Sequence, residues 1–373
     1  MRIDNCTTLT LAILCAYFSS RATPQATTDA QTQAVVTATK AFLNLLSADQ
    51  KEKVQFPFTP QKTATAARFA RSNMGRGPGM GRGAGFVGEQ YGQAVWSNFP
   101  VSDVPRPGLT LGSLSNTQRD AATHLLQVLL SPKGYQKVLE IMGSDQALAD
   151  AGTPFSSGTA YYTIGIFGSP STATPWMLQY GGHHLALNIT IAAGHGVLTP
   201  TLTGAQPALY TSHGKTVRAL AQENDKAFAL LNALDDAQRK QAILNYRVGD
   251  LVLGPGRAGE TIQPEGLKAT ALNEKQLGML LDVISEWTGI INEAYAIPRM
   301  AEIKAGLDDT YFAWSGPTTH EPGKNGSAYY RIQGPKLVIE FSPQGVGGDL
   351  TMHVHTMYRD PTNDYGIKFT GVQ

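Results

Sequence analysis

One short pattern occurs four times in this chain: a leucine, a polar residue suited to cap a helix, and a glutamine three residues after the cap. The four copies are LSADQ at 46–50, LSNTQ at 114–118, LDDAQ at 234–238 and LNEKQ at 272–276. Each is a capping box, in which the Ser, Asp or Asn side chain accepts a hydrogen bond from a free backbone N–H and the glutamine reaches back to the cap amide. The pattern predicts four helix starts, two in each half of the chain.

The two halves of the sequence resemble each other beyond these boxes. Lys-Ala-Phe precedes the first box at 40–42 and the third at 226–228. The segments that align as strands are QYGGHHLALNIT (179–190) with RIQGPKLVIEFS (331–342), and VLTPTLTGAQP (197–207) with TMHVHTMYRDP (351–361). Amphipathic helical segments precede these strands in each half. The sequence therefore predicts an α+β fold with mostly antiparallel strands, in which a helices-then-β-hairpin unit over 23–210 is repeated over 211–373 about a pseudo-twofold axis.

The first repeat is interrupted at residues 68–88 by RFARSNMGRGPGMGRGAGFVG, a run rich in glycine and arginine. Because this composition offers little apolar surface to bury, it predicts a flexible inserted loop. Arg-Gly runs also bind RNA or acidic polymers, but this one holds only four arginines. The whole chain has a net charge of +1 and 16% charged residues, which is typical of a globular protein and indicates no nucleic-acid partner.

The first 22 residues have the features of a secretory signal peptide. Arg2 precedes the apolar run LTLAILCAYF, which is too short to span a bilayer and is followed by small residues that end at Ala22. We therefore expect a secreted or periplasmic protein without a membrane segment in its mature form, with an ordinary mobile N-terminus as the alternative. Both cysteines, Cys6 and Cys15, lie in this segment. A mature chain would then hold any metal through His, Asp and Glu.

The histidine-rich segments belong to a wider set of motifs after about residue 110. The motifs are GHHLALN at 182–188, Pro200 with GAQP at 204–207, YRIQGP at 330–335, IEF at 339–341, HVH at 353–355, RDP at 359–361 and DYG at 364–366. In this combination the chain resembles a family catalogued as domain of unknown function 3500 (DUF3500). The resemblance implies no particular reaction. It supports the choice of these segments as the place to look for a site.

His353 and His355 are separated by one residue, so in a strand both side chains point to the same face. A closely connected antiparallel pairing with the preceding strand would set Glu340 opposite His353. His184, read as part of a continuous strand, aligns with this polar face and could supply a third imidazole. Imidazoles with a carboxylate suit zinc best, with iron or copper as alternatives. We therefore predict a metal site formed by His184, Glu340, His353 and His355.

Further polar residues are candidates for supporting roles. Those expected to orient the ligands are His183, Asn188, Asp360 and Asp364. Those expected to act in catalysis, as acid–base or orienting groups, are His320, Glu321 and Arg359. The alternatives are a hydrogen-bonded core position for His183, an ion pair that closes the C-terminal turn for the arginine and aspartates, and a solvated loop for His320 and Glu321.

These residues together favour a secreted metal-dependent hydrolase acting on a small-molecule or polymer substrate. A divalent ion polarises an ester, amide or phosphate and lowers the pKa of its bound water, so neither a serine nor a cysteine nucleophile is needed. One alternative is an iron- or copper-dependent oxidoreductase. Another is a non-enzymatic binding or structural protein whose histidines form a polar network. The sequence holds no P-loop, dinucleotide-binding or G-x-S-x-G motif in a suitable context.

Overall fold

The computed structural model describes residues 24–69 and 86–371. Its α-helices are α1 (Pro24–Asn44), α2 (Ala48–Val54), α3 (Asn116–Leu129), α4 (Pro132–Asp150), α5 (Ala221–Asn232), α6 (Asp236–Ala242), α7 (Glu274–Thr288) and α8 (Glu293–Ala305). Its strands are β1 (Gln55–Phe56), β2 (Thr65–Phe69), β3 (Phe86–Tyr91), β4 (Ala94–Trp96), β5 (Leu109–Thr110), β6 (Thr163–Phe167), β7 (Trp176–Gly182), β8 (Leu185–Ala192), β9 (His195–Val197), β10 (Thr201–Ala205), β11 (Leu209–Ser212), β12 (Lys215–Arg218), β13 (Leu267–Lys268), β14 (Tyr311–Ser315), β15 (Tyr329–Gly334), β16 (Leu337–Pro343) and β17 (Val354–Arg359).

Two of the predicted segments fall largely beyond these ranges. The expected signal peptide at 1–22 and most of the expected insertion at 68–88 lie outside the described residues. At the ends of that insertion, residues 68–69 and 86–88 belong to β2 and β3, which pair with each other. Among the helices that the structure describes, none is both long enough and apolar enough to cross a bilayer.

Most strands join one large sheet that runs through both halves of the chain. Its order is β1-β6-β7-β8-β10-β17-β16-β15-β14-β13, with β5 beside β6 and β9 beside β8. Every pairing is antiparallel except that of β1 with β6. The two halves meet where β10 pairs with β17, with Thr203 opposite Thr356. The predicted mixture of helices with mostly antiparallel strands is confirmed.

All four predicted capping boxes are present, and they start α2, α3, α6 and α7. In each half the two capping glutamines also bond to each other. Nε2 of Gln118 lies 2.8 Å from Oε1 of Gln50, and Nε2 of Gln276 lies 2.8 Å from Oε1 of Gln238. Each box therefore caps its own helix and also ties two helix starts together.

The main hydrophobic core lies between the helices and one face of the large sheet. Side chains alternate between the two faces of a strand, and the residues of β8 that enter this core are Leu185, Leu187, Ile189 and Ile191. Those of β16 are the ones that the sequence predicts: Leu337, Ile339 and Phe341. Trp287 of α7 and Trp314 of β14 lie in the same core and are fully buried. The helical layer and the sheet are therefore joined by apolar packing.

The opposite face of the sheet is also covered. Trp96 of β4, Leu253 and Met357 pack there in a second buried cluster with residues of the central strands. Strands β7, β8, β10 and β16 are consequently buried along their whole length. Polar side chains on this face must therefore find their partners inside the protein. The histidines singled out above lie at one end of these central strands.

Candidate metal centre

Three histidines from distant parts of the chain converge at this end of the sheet. His184 lies in the turn between β7 and β8, His353 directly precedes β17, and His355 is its second residue. Nε2 of His353 lies 3.0 Å from Nε2 of His184 and 3.1 Å from Nε2 of His355. The potential ligand atoms of the three side chains all lie within 4.8 Å of one another. We call His184, His353 and His355 the His group.

The strand register explains why two of these rings meet. β10 runs between β8 and β17, with Thr203 opposite Leu185 and Gly204 opposite His355. One residue further along, His184 falls beside Gly204 on its other side. A Cβ atom on Gly204 would lie 3.3 Å from both Cβ and Cδ2 of His184. The absence of a side chain at this position thus lets the two imidazoles approach across the intervening strand.

His184 is held in an uncommon backbone conformation. Its φ is 61°, in the left-handed region that residues with a side chain adopt at a cost. Its N–H donates to the carbonyl oxygen of Asn98, 3.0 Å away. The placement of His183 and His184 on the strand that continues to Thr190 is wrong, because the chain reverses at these two residues and the flanking strands pair with each other. This turn directs His184 into the group.

Two of the three rings are oriented through their other nitrogen. Nδ1 of His353 lies 3.0 Å from the carbonyl oxygen of Val346, which can only accept a hydrogen bond, so this nitrogen carries the proton. Nδ1 of His355 lies 3.8 Å from Oδ1 of Asp250, which is beyond hydrogen-bond distance, and that oxygen accepts a hydrogen bond from Gln344 at 3.0 Å. Both arrangements favour a proton on Nδ1. The Nε2 lone pair is then free, as in histidines that bind metal ions.

Burial keeps the imidazoles of His184 and His353 neutral. His184 and His353 are 2% and 6% exposed. Burial lowers the pKa of His184 well below its ordinary value, and the neighbouring imidazoles of His183, His353 and His355 lower it further. Burial, followed by repulsion from His355, lowers the pKa of His353 to about 3. His184 and His353 are therefore neutral near pH 7, which is the form that binds a metal ion.

His183 supports the group from outside. Its ring stacks on the ring of His184 with centroids 3.7 Å apart. Its Nδ1 lies 2.8 Å from Oδ1 of Asp145 on α4. Phe155 meets the same ring edge-on, with 5.3 Å between centroids. His183 is thus buried and hydrogen-bonded, as its alternative interpretation proposes, and it also contacts a member of the His group.

Glu340 does not join the group. The predicted pairing with His353 is wrong, because Glu340 lies opposite Met357. Residues 344–353 form the connection between β16 and β17, which is longer than the predicted pairing assumes. The first paired residues are Pro343 and Val354, and each residue of β16 therefore lies opposite a later residue of β17 than predicted. The buried carboxylate of Glu340 instead accepts hydrogen bonds from three donors: the N–H groups of Val252 and Leu253 and the hydroxyl of Tyr329. Burial raises its pKa.

Arg359 and Asp364 form a separate ionic cluster with Glu89 of β3. Nη1 of Arg359 lies 2.8 Å from Oδ2 of Asp364, and its Nη2 donates to Glu89. Its Nε donates to the carbonyl oxygen of Leu253 at 2.8 Å, and its guanidinium lies over the ring of Trp96. The donors of Arg359 are therefore committed to protein partners in place of the expected catalytic role. The alternative, an ion pair at the C-terminal turn, describes Arg359 and Asp364 correctly.

Asp360 and Asn188 are also bound elsewhere. Oδ2 of Asp360 lies 2.8 Å from Nη1 of Arg299. Asn188 accepts a hydrogen bond from Gln179 at 2.7 Å and donates to the carbonyl oxygen of Pro200 at 3.0 Å. Within the part of the chain that the structure describes, neither residue forms a hydrogen bond with the His group. Both stabilise connections of the sheet instead of orienting its imidazoles.

His320 and Glu321 lie in the loop after β14, beside α5. Nε2 of His320 lies 3.7 Å from Oδ1 of Asp225, and its ring lies 4.6 Å from that of Phe228. Glu321 is 65% exposed and pairs with Lys324 at 2.8 Å. The solvated-loop alternative therefore describes this segment better than a catalytic role. The structure does not bring these two residues to the His group.

The surroundings of the His group contain residues that the sequence does not single out. Asp145 lies on a helix and Asp250 lies in a loop, both far along the chain from the histidines they face, so no local pattern marks either one. The carbonyl oxygen of Val346 carries no sequence signal at all. Gly204 has a usable signal, because a glycine inside a strand often marks the close approach of another group.

Comparison with known proteins identifies the family of the chain. The pattern of the family described as "Protein of unknown function (DUF3500)" matches residues 85–367. This range covers more than half of the chain and includes the whole His group, so the chain belongs to this family. No curated protein and no solved structure shows a significant match. The resemblance inferred from the motifs is confirmed.

Proposed function

We propose that this member of the DUF3500 family is a metal-dependent hydrolase in which His184, His353 and His355 hold one divalent transition metal ion, with zinc as the first candidate. The observation that carries the proposal is the convergence of three ring nitrogens in a buried place. Three imidazoles with an open fourth position are a known ligand set of catalytic zinc sites.

The hydrogen-bond pattern of the rings supports a cation between them. Because Nδ1 of His353 donates to Val346, Nε2 of His353 is an acceptor only. The carboxylate of Asp250 favours the same arrangement in His355. Two acceptor nitrogens 3.1 Å apart repel each other unless a cation lies between them. Protonation of His353 itself is disfavoured, because burial lowers its pKa to about 3.

The donor set narrows the choice of ion. The group contains imidazoles without a carboxylate or a thiolate. The facial iron site of non-haem oxygenases needs two histidines and one carboxylate, and the only acid predicted for that position, Glu340, accepts hydrogen bonds from protein donors elsewhere. Imidazole ligands suit zinc and copper. A zinc ion in this site would favour hydrolysis, and a copper ion would favour the alternative of an oxidoreductase.

The chain itself contributes three imidazole ligands, which differ in their exposure to solvent. When bound, a divalent ion supplies Lewis acidity toward an ester, amide or phosphate and lowers the pKa of coordinated water. The side chain of His355 is 11% exposed, and Asp250 beside it is 68% exposed. Val346, whose carbonyl oxygen orients His353, is 53% exposed. His355 is thus the member of the His group that lies nearest to solvent, so a small substrate, or the end of a polymer, would approach on its side.

We also propose that the two halves of the protein are a duplicated unit. Strands β6, β7, β8 and β10 follow α3 and α4 in one half, and β14, β15, β16 and β17 follow α7 and α8 in the other. The sequence alignment puts Thr199 and Thr201 where His353 and His355 stand. The strand registers, with Thr201 opposite Leu187 and Tyr358 opposite Ile339, instead set Tyr358 in the place of Thr201, and neither register puts a histidine of the first half in the place of His353 or His355. The repeated fold therefore has no need of these imidazoles, which supports a chemical role for them in the second half.

Export remains a proposal that rests on the N-terminal sequence. The basic residue, the short apolar run and the small residues that end at Ala22 support a cleaved signal peptide. N-terminal sequencing of protein recovered from outside the producing cells tests it. A first residue just after position 22 is expected, and an intact Met1 on exported protein would contradict cleavage.

Hydrolysis is tested with two chromogenic probes, p-nitrophenyl acetate and bis(p-nitrophenyl) phosphate. We expect zinc-loaded protein to hydrolyse at least one of them, chelation to abolish the activity and Zn²⁺ to restore it. The variant His353→Ala/His355→Ala should remain inactive at any zinc concentration. Zinc binding without hydrolysis of either probe would contradict the hydrolase proposal and favour a metal-binding protein without hydrolytic activity. If the purified protein contains copper, oxidation of a substrate is tested in place of hydrolysis.

A further inference from the structure

The three rings of the His group differ in what holds them in place. His353 and His355 each direct Nδ1 toward an oxygen atom, at 3.0 Å and 3.8 Å. Nδ1 of His184 is buried and has no hydrogen-bond partner among residues 24–69 and 86–371. His184 is also the member that lies in a tight turn with a φ of 61°. Nδ1 of His184 therefore contributes no hydrogen bond that would fix the plane of this ring.

The ring of His183 stacks on the ring of His184. Its centroid lies 3.7 Å from the centroid of His184, with 26° between the ring planes. The hydroxyl of Tyr162 donates to the carbonyl oxygen of His183 at 2.8 Å, which fixes its backbone. Phe155 packs edge-on against the ring. A flat side chain held in this way restricts rotation of the imidazole stacked on it.

Asp145 anchors His183 to the helical layer. Its Oδ1 lies 2.8 Å from Nδ1 of His183, and its Oδ2 accepts a hydrogen bond from the N–H of Gly158 at 2.7 Å. Asp145 is 1% exposed and lies on α4, which packs against the strands on the core side. A continuous set of contacts therefore runs from α4 through Asp145 and His183 to His184.

We propose that His183 and Asp145 are a positioning pair for His184: Asp145 orients the ring of His183, and this stacked ring aims the imidazole of His184 at the metal ion. The inference rests on the proposed metal site and assigns the pair no contact with the ion. Partners that orient metal-binding histidines usually affect metal affinity by about 10–100-fold. Here the orienting partner is a neighbouring ring, whereas His353 and His355 use oxygen atoms.

Metal affinity of full-length variants tests the pair. Zn²⁺ affinity is measured by competition with a chromophoric chelator, and the absorption spectrum of bound Co²⁺ reports the geometry of the ligands. His183→Ala removes the ring and is expected to lower Zn²⁺ affinity about 10–100-fold and to change the Co²⁺ spectrum. His183→Phe keeps a flat ring without the hydrogen bond to Asp145 and is expected to lose less affinity than His183→Ala. Asp145→Asn keeps the ring and is expected to fall between the wild type and His183→Ala.

Tyr329→Phe is the matched control, because it removes a buried hydrogen bond to Glu340 outside the His group. We expect it to leave both Zn²⁺ affinity and the Co²⁺ spectrum unchanged. Thermal unfolding checks that each variant is folded. If His183→Ala does not fold, an unchanged Co²⁺ spectrum in Asp145→Asn overturns the positioning role, and a changed one supports it.

Two further outcomes would overturn the role of the stacked ring. One is wild-type affinity and an unchanged spectrum in His183→Ala. The other is an equal loss of affinity in His183→Phe and His183→Ala, which would show that a flat ring does not suffice. Failure of the metal site itself is distinguishable from both, because the wild-type protein would then bind neither Zn²⁺ nor Co²⁺.

Discussion

Strand β17 carries two buried polar clusters of opposite character. Near its start, His355 belongs to the His group, in which its Nε2 lies 3.1 Å from Nε2 of His353. At its end, Arg359 lies between the carboxylates of Glu89 and Asp364. Opposite charges complete the second cluster, whereas the first brings together three imidazoles that are compatible with a bound metal ion. The partners of Arg359 all belong to the protein, whereas the proposed partner of the His group is an added ion.

The two clusters also connect different parts of the molecule. Arg359 joins the large sheet to the separate three-stranded sheet β2-β3-β4 through Glu89 of β3. It also joins the large sheet to the C-terminal turn through Asp364. The His group joins the β7–β8 turn to β17 through contacts among its own rings. Loss of the first should therefore appear in stability, and loss of the second should appear in metal binding.

Arg359→Met has the largest expected effect on stability. It leaves Glu89, which is 0% exposed, and Asp364 without their counter-charge, and removal of one partner from a buried ion pair costs about 3–5 kcal/mol. Urea unfolding of metal-free protein measures the change. The matched control is His355→Ala on the same strand, for which we expect a loss of about 1 kcal/mol or less. Equal losses in the two variants would remove the distinction between the clusters.

Gly204→Ala is expected to reduce stability less than Arg359→Met and more than His355→Ala. It adds a Cβ between two members of the His group. That atom would lie 2.7 Å from the carbonyl oxygen of Val354 and 3.3 Å from Cδ2 of His184. We expect a loss of about 1–3 kcal/mol in unfolding free energy together with weaker Zn²⁺ binding in a chelator competition. Gly278→Ala on α7 is the control, since nothing lies within 4 Å of its added Cβ. Undiminished Zn²⁺ affinity in Gly204→Ala would contradict the role given to this glycine.

Asp364→Asn tests the Arg359 cluster through the dependence of unfolding free energy on pH. Burial raises the pKa of Asp364 to about 6, although Arg359 opposes the shift, and aspartate in an unfolded chain titrates near about 3.9. The folded protein therefore favours the protonated acid, and stability that is present below about pH 4 is lost as the pH rises through about 6.

In Asp364→Asn this pH dependence should disappear. The difference in unfolding free energy between wild type and variant should shift by about 2 kcal/mol between pH 4 and pH 7, with the wild type relatively more stable at the acidic end. Chemical unfolding at a series of pH values measures it. Parallel curves for the two proteins would show that Asp364 titrates normally in the folded state.

Local patterns predicted much of the fold. The capping boxes are confirmed because a cap depends on residues that lie within one turn of each other. The core face of β16 is confirmed because alternation along a strand is equally local. The topology beyond that depends on contacts between distant segments. The reversal at His183 and His184 shows this, since the same residues also fit a continuous strand.

The candidate site shows the same difference between features set by local sequence and features set by contacts between distant segments. Three of the four residues predicted to hold a metal, His184, His353 and His355, are brought together. Glu340 is not, because its place depends on a strand register that is set by the length of the connection before β17. Asp145 and Asp250 could not be predicted, since each meets the histidines only through tertiary packing.

Metal content tests the central claim most directly. Protein purified without an affinity tag is analysed for all transition metals, before and after incubation with Zn²⁺ and removal of excess ion. We predict about one equivalent per chain, falling below about a tenth of an equivalent in His353→Ala/His355→Ala. Less than about a tenth of an equivalent of any transition metal in the wild-type protein, even after Zn²⁺ is added and unchanged by the double substitution, would contradict a metal centre in the His group.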